Sequence, residues 1–303
     1  MVTKNKTSWG NGAPRRLLTE RDLKSLRVFC AAAQASGITA ATSQLHLSKA
    51  SVSRHILEIE ERLGVKLCER GPGGFRLTNA GTVALEVTSR ALRALDRIQP
   101  DIDAATGVLT GPLTIGLVEH ILTDPACTLP TALNELRHRA PDVYPEIVVL
   151  THTQLNRALR ERRVQIAIRG QYQRDRTFNY LPLFEELHRL YVARDVNEQA
   201  ASRLQLVYRH HPFVDKIMAT GRFQRGPDAG GLEAIATFIA TGNFIGMLPA
   251  HYAELINVRY PIRRVDESIE FHNQICAITE ASRPLPASAE LFLDILQSQQ
   301  PSK

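Results

Sequence analysis

The chain has 303 residues, 44% hydrophobic and 22% charged, a composition that excludes disordered, collagenous and small disulfide-stapled proteins and leaves room for two compact domains. Its longest charge-free run, Val28 to Ser48, is interrupted by Gln34, Ser36, Gly37 and Thr39, so no transmembrane helix and no membrane partner is expected. Charge is unevenly spread: sixteen Lys and Arg stand against eight Asp and Glu in residues 1–98, and 21 against 23 beyond. A basic N-terminal third on a nearly neutral body suits a nucleic-acid-binding head, although a membrane-surface or acidic-partner patch would show the same charge.

Residues 1–20 read as a loose basic arm without the apolar stretch of a secretory signal. The cysteines at 30, 68, 127 and 276 show no CxxC spacing, which suits thiols in a reducing cytoplasm better than disulfides or a zinc site. From Asp22, Leu23, Leu26, Phe29, Cys30 and Ala33 recur at helical spacing up to Ser36-Gly37. Ile38 and Thr39 read as a staple residue and N-cap of a short helix containing Ala40, Ala41 and Leu45, followed by a turn at His46-Leu47. Ser48 is the next N-cap, Val52, Ile56, Ile59 and Leu63 form an apolar stripe, and Gly64 is the C-terminal cap.

A short helix, a turn and a longer helix make the helix-turn-helix pattern, which places Ser48, Lys49, Ser51, Ser53, Arg54 and His55 where a recognition helix meets base edges and phosphates. The segments 65–70 and 75–77 around Gly71-Pro72-Gly73-Gly74 read as a hairpin wing, with Arg70 and Arg76 at a phosphate or the minor groove. Thr78 then caps a helix on which Ala84, Val87, Ala91, Ala94 and Ile98 recur, joined by Leu85, Leu92 and Leu95, until Pro100 is expected to stop it. Ala84, Val87, Ala91, Leu95 and Ile98 are the candidate dimerisation row; packing of the same helix on its own head or body is the alternative.

Gly107 and Thr110-Gly111-Pro112 mark a hinge. Beyond it, strands at 113–118, 147–150, 164–168, 190–193, 204–207, 244–248 and 274–278 alternate with helices at 129–140, 154–162, 232–240 and 289–297, the rhythm of two α/β lobes on a mostly parallel sheet.

The head resembles the winged helix-turn-helix of LysR-type transcriptional regulators over about sixty residues, through Leu26-x-x-Phe29, Ala40-Ala41, Ser53-Arg54-x-Ile56, Ile59-Glu60-x-x-Leu63-Gly64-Val65-x-Leu67 and Leu77-Thr78-x-Ala80-Gly81. Lys49-Ala50 stand where that family usually has Gln-Pro, and Cys68 where it usually has Phe, departures that bear on which operator is read. The body is similar to the family's effector domain, itself like type 2 periplasmic solute-binding proteins, through Leu113-x-Ile115-Gly116, Ile166-Ala167-Ile168-Arg169 and Thr241-Gly242-Asn243-Phe244-Ile245-Gly246, with Gln165 in place of a usual Asp. The resemblance implies a cytoplasmic homodimer or homotetramer that reads an interrupted inverted repeat in double-stranded DNA. It also implies a small-molecule effector and, for an activator, contact with RNA polymerase. The implied division is an arm (1–20), the winged head (21–81), a linker and dimerisation helix (82–111) and an effector domain (112–303).

Ligands of such sheets sit beyond the carboxyl ends of strands, near helix N-termini that favour anions. That rule selects Glu119, His120, Thr151, His152, Thr153, Gln154, Arg169 and Gly231, with Arg169 suited to a carboxylate or other oxyanion; Thr153 as a plain N-cap and Arg169 as a surface cation are the bland alternatives. No GxSxG, HExxH, P-loop or GxGxxG motif occurs, so no enzyme, cofactor or metal is expected. Two rivals remain: a cysteine-based redox regulator, with Cys127 activated by a helix N-terminus, and a small-molecule-binding protein that does not read DNA sequence.

Overall fold

The structure is a computed structural model that describes residues 17–71, 74–265, 268–282 and 284–300; most of the expected N-terminal arm, residues 1–16, lies outside them. Contacts divide the chain after Asp96 into two compact units.

In the first unit, α1 (Glu20–Gln34) opens with a capping box: the Thr19 hydroxyl accepts from the Asp22 amide at 3.3 Å, and the Asp22 carboxylate accepts from the Thr19 amide at 2.8 Å. The second helix, α2 (Ile38–Leu45), is capped at Gly37 and not at Thr39 as expected; Thr39 is already inside it, its carbonyl accepting from the Thr42 hydroxyl. The recognition helix α3 (Lys49–Leu63) begins as the sequence predicts, with the Ser48 hydroxyl accepting from the Ser51 amide at 3.1 Å, and ends on Gly64 at φ 69°. Phe29, Ala32, Ala41, Val52, Ile56, Ile59 and Leu67 are wholly buried between these helices. Each large apolar side chain so removed from water contributes roughly 1.5–3 kcal/mol to holding the head together.

The wing is the antiparallel pair β1 (Cys68–Gly71) and β2 (Gly74–Leu77), in register Cys68 to Leu77. Thr78 caps α4 (Asn79–Asp96) by accepting from the Gly81 amide at 3.0 Å. A Cβ at Gly81 would stand 1.8 Å from the Leu67 carbonyl oxygen, so glycine is what lets this helix pass so close to the strand backbone.

The second unit opens with α5 (Ile98–Ala105), and here the expectation that Pro100 ends a helix is wrong. The helix breaks at Arg97, and Pro100 lies in the first turn of the next helix, where the N–H it lacks has no intrahelical partner to lose. Then follow β3 (Gly111–Leu117), a 3-10 turn at Ile121–Thr123, α6 (Leu129–Arg139), β4 (Val143–Val149), α7 (His152–Arg160) and β5 (Ile166–Gly170). The chain continues through β6 (Phe178–Ala193), α8 (Glu198–Ala201), β7 (Gln205–Tyr208), α9 (Pro212–Ala219), β8 (Arg225–Asp228), α10 (Leu232–Ala240), β9 (Phe244–Pro249), α11 (Ala250–Asn257), β10 (Ile262–Arg264), β11 (Glu270–Glu280) and α12 (Ala287–Ser298).

Strand order is β4-β3-β5-β11-β6-β9-β7-β8, with β10 on β6. Within each lobe β3 runs parallel to β4 and β5, and β7 parallel to β8 and β9. The lobes are joined by the long antiparallel pair β6 and β11, which a mostly parallel sheet does not anticipate; their register slips at Ile275/Cys276. The first lobe packs Leu113, Ile115, Leu136, Phe292 and Ile295 on one sheet face and Leu155, Leu159, Phe178 and Ile278 on the other. The second packs Leu206, Phe213, Ile217 and Met247 on one face and Ile235, Ile239, Leu248 and Tyr252 on the other. Both lobes thus offer strand ends and helix N-termini to a common cleft over β6 and β11.

Candidate functional site

On the head, Ser48, Lys49 and Arg54 are exposed along the first turns of α3, while Ser51 and Ser53 are half-buried. The Ser48 hydroxyl donates to that of Ser51 at 3.1 Å while capping the helix, so these two serines hold the helix start as well as face outward. Arg54 lies 3.9 Å from Glu58, whose carboxylate accepts at 2.7 Å from Arg21. His55 is a correction: it is buried, its Nδ1 3.0 Å from the Ser25 hydroxyl, so it joins α3 to α1 and does not stand on the exposed face with Lys49 and Arg54. Its place one residue after Arg54 rotates it by about 100° around the helix, onto the side of Val52 and Ile59. Arg76 is exposed on β2; the side chain of Arg70 lies outside the described residues.

Glu60, which sequence reasoning treated only as part of a motif, is buried beneath the wing and accepts from the amides of Leu67 at 2.8 Å and Cys68 at 3.1 Å. It therefore fixes the strand that follows the recognition helix. Along α4, Ala84 is turned into its own head's core, correcting its assignment to the dimer row. The exposed row is Val83, Val87, Ala91 and Leu95, with Val83, not anticipated, the most open at 61%. Ile98 stands on α5 beside Ile102, in the other unit.

In the second unit, Arg169 ends β5 and is only 2% exposed, which corrects its reading as a surface cation. Its Nη1 donates to His152 Nε2 at 2.8 Å and the Gly170 carbonyl at 2.7 Å, and its Nη2 to Asn156 Oδ1 at 2.6 Å. Among the described residues no carboxylate lies within ion-pair distance, so a buried guanidinium is held by neutral acceptors alone. Burial, and then the charge of Arg169, push His152 down to about 4, so its ring is the neutral acceptor that this bond requires.

The other residues proposed around His152 divide. Thr151 and Gln154 cap each other, Thr151 Oγ1 accepting from the Gln154 amide at 3.4 Å and Gln154 Oε1 from the Thr151 amide at 3.0 Å. Thr153 is neither the cap nor buried. Across the cleft, Glu119 Oε1 accepts from the Leu232 amide at 3.2 Å and pairs with Arg209 at 2.7 Å, beside Gly231. His120 takes a left-handed φ of 59° and packs on Tyr252, ring centroids 4.1 Å apart.

Sequence reasoning missed the polar residues between these points. Glu186, on β6, is buried; its Oε2 accepts from His188 Nε2 at 2.7 Å and Asn273 Nδ2 at 2.9 Å, and its Oε1 from His251 Nε2 at 3.0 Å. Burial alone would raise this carboxyl, but the bonds from His188 and His251 hold it well below the usual carboxylate range. The Phe213 amide donates to His211 Nδ1 at 3.2 Å, leaving Nε2–H to donate to the Tyr172 hydroxyl at 2.8 Å. Burial, then His188 and Arg209, push His211 down to about 3. These residues arrive from β6, β11, α9, α11 and the loop after β5, and their side chains connect the two lobes.

The cysteines are quiet. Burial raises Cys127 despite an amide bond from Leu129, contrary to the expected activation by a helix N-terminus, and it pushes Cys276 up to about 11 and raises Cys30. All four are free thiols.

A winged helix-turn-helix head followed by a two-lobed α/β unit with a polar cleft defines a DNA-binding protein that carries a small-molecule sensor fold. The chain matches the family models for the bacterial regulatory helix-turn-helix protein, lysR family, over residues 23–82, and for the LysR substrate binding domain over residues 106–301; it belongs to the LysR family of DNA-binding transcription regulators. It is 28% identical over 247 residues to the HTH-type transcriptional activator BauR of Pseudomonas aeruginosa, covering 78% of this chain and 81% of that protein. It is 26% identical over 249 residues to a hydrogen peroxide-inducible genes activator of Pectobacterium carotovorum, covering 76% and 80%. The crystal structure of CbnR, a LysR family transcriptional regulator, shares the fold at a TM-score of 0.66 and 20% identity, covering 92% of this chain and 99% of that one. No helix among the described residues is long and apolar enough to cross a membrane.

Proposed function

We propose that this regulator works in the cytoplasm as a homodimer or homotetramer, reads an interrupted inverted repeat through Lys49, Ser51, Ser53 and Arg54, and answers to a small anionic effector bound at Arg169. The observation that carries the effector reading is the guanidinium of Arg169: it is 2% exposed, donates to His152, Asn156 and the Gly170 carbonyl, and has no carboxylate within ion-pair distance among the described residues. A buried charge without a counter-charge carries a desolvation penalty that a carboxylate would offset through charge-assisted bonds. Tyr172 packs its ring on His152, centroids 5.2 Å apart, and brings an aromatic face to the same place, while Val83, Val87, Ala91 and Leu95 supply an apolar seam for pairing two heads. The redox alternative is not favoured, because burial raises Cys127, the thiol that reading depends on, where activation requires a lowered one. If the protein activates transcription, the dimer bound beside a promoter would contact RNA polymerase.

The test is fluorescence anisotropy of the purified protein on duplexes tiled from the DNA next to its own gene, with a salt titration, followed by a thermal-shift screen of small carboxylates and phosphates. One tile bound tightly and with salt sensitivity, and an anion whose stabilisation disappears in Arg169→Ala, are the expected results. An effector that stabilises Arg169→Ala as well as it stabilises the wild type refutes the assignment of Arg169.

A further inference from the structure

The position that an anionic ligand would be expected to take on the second lobe already holds an anion from the first. Glu119 leaves the end of β3, crosses the cleft and sets its carboxylate against the start of α10. There Oε1 accepts from the Leu232 amide at 3.2 Å and meets Arg209 at 2.7 Å. A Cβ on Gly231 would stand 2.8 Å from Oε2, so the glycine before the helix is what admits the carboxylate so closely. The helix dipole, a free amide and a cation converge here, which is the donor set of an anion site, and a side chain of the opposite lobe fills it. Among the described residues other contacts also cross the cleft: the Thr123 hydroxyl meets His251 at 2.6 Å, the Asp124 carboxylate lies 3.7 Å from the same ring, and Tyr172 meets His211 at 2.8 Å. None of these is made to a helix backbone amide.

We propose that Glu119 is a tethered internal anion: it latches the two lobes together, and an incoming anionic group must displace it to change the angle between them. The proposal rests on the reading that an effector occupies this cleft, and it supplies the step by which binding becomes movement. An anion that bound equally well with the latch shut or open would shift nothing, whereas one that replaces Glu119 binds only the unlatched state and draws the population toward it. The tether keeps the internal carboxylate at a local concentration on the order of millimolar, so removing it should tighten binding of an external anion at this place by about tenfold or more.

Hydrogen exchange read by mass spectrometry on the full chain tests the latch, with sodium sulfate as the probe and sodium chloride of matched ionic strength as the control. In Glu119→Ala, the peptide carrying the start of α10 should exchange faster than in the wild type, and sulfate should restore its protection. In the wild type sulfate at the same concentration should leave that peptide unchanged. Adding Arg209→Gln to Glu119→Ala should abolish the rescue, and Glu119→Gln, which keeps the shape and loses the charge, should respond to sulfate at an intermediate concentration. Unchanged exchange of the α10 peptide in Glu119→Ala, or the same sulfate response in variant and wild type, overturns the proposal. Peptides from the cores of both lobes report whether the variants are folded. DNA binding by the head is measured separately, so loss of the latch and failure of the regulator reading give different results.

Discussion

Replacing Glu60 by alanine tests whether the wing is held by the recognition helix. The carboxylate lies 4% exposed under the hairpin and receives the amides of Leu67 and Cys68 at 2.8 and 3.1 Å. Alanine leaves both amides without that acceptor, at about 1–3 kcal/mol for each buried group left unmatched. Removing a charge that was itself costly to bury offsets part of this, so the net loss should be about 2–4 kcal/mol. Both amides reach the same oxygen, Oε1, so Glu60→Gln keeps their acceptor, gives up the charge and the Lys66 contact at 3.5 Å, and should lose clearly less than alanine. Urea unfolding followed by circular dichroism reads the stability, and anisotropy on the operator duplex reads the function. The wing follows directly from these amides, so specific affinity should fall by about tenfold or more while non-specific binding falls less. An unfolding free energy within about 0.5 kcal/mol of the wild type, with operator affinity intact, refutes the reasoning.

Arg54→Ala should relax sequence choice, whereas Arg76→Ala should weaken binding to every sequence and reduce the salt slope by about one; identical behaviour of the two variants refutes their separate roles. Val87→Glu combined with Leu95→Glu places like charges on the exposed row of α4 and should shift the sedimenting species to a smaller assembly, so an unchanged mass rules out that seam. His152 and His211 are held neutral in the fold at about 4 and about 3, below the ordinary 6.5, so the unfolded chain binds more protons as the solution acidifies. The stability contributed by the neutral rings is complete above pH 6.5 and is lost progressively as pH falls toward 4. Urea midpoints at pH 7.5, 6.0 and 4.5 should show that decline, and His152→Gln should flatten it.

The head was legible because each of its elements announces itself locally. Ser48 and Gly64 bracket α3 at the residues expected, since a serine cap and a left-handed glycine are signals confined to one or two positions. Where legibility failed, a neighbour outside the window decided. Pro100 stops a helix when it falls in the interior, but here the chain had already broken at Arg97 and the proline fell in a first turn. His55 looked like a groove residue by its polarity, yet only Ser25, thirty residues away, shows which way it faces. In the body, β6 was recognised only at 190–193 because its first three-quarters pair with β11 along a joint where Glu186 and His188 interrupt the apolar run by which a buried strand is read.

The cleft shows why strand ends alone find a region and not a site. Placing candidates at the ends of β3, β4 and β5 led to Glu119, His152 and Arg169, because topology puts those positions beside the cleft whatever residues occupy them. It could not find Glu186, His188 or Asn273, which stand within the strands that join the lobes. Neighbouring polar residues also mislead: Glu185 and Glu186, or His210 and His211, look like redundant surface pairs, yet one member of each enters the buried network while the other stays outside. Alternation along a strand, or the turn of chain before a helix, separates such a pair onto opposite sides. An inward polar residue at a lobe joint is therefore informative where its neighbour is not, and a carboxylate such as Glu186 is held ionised by one local partner, His188, together with His251 and Asn273, both more than sixty residues away in the chain.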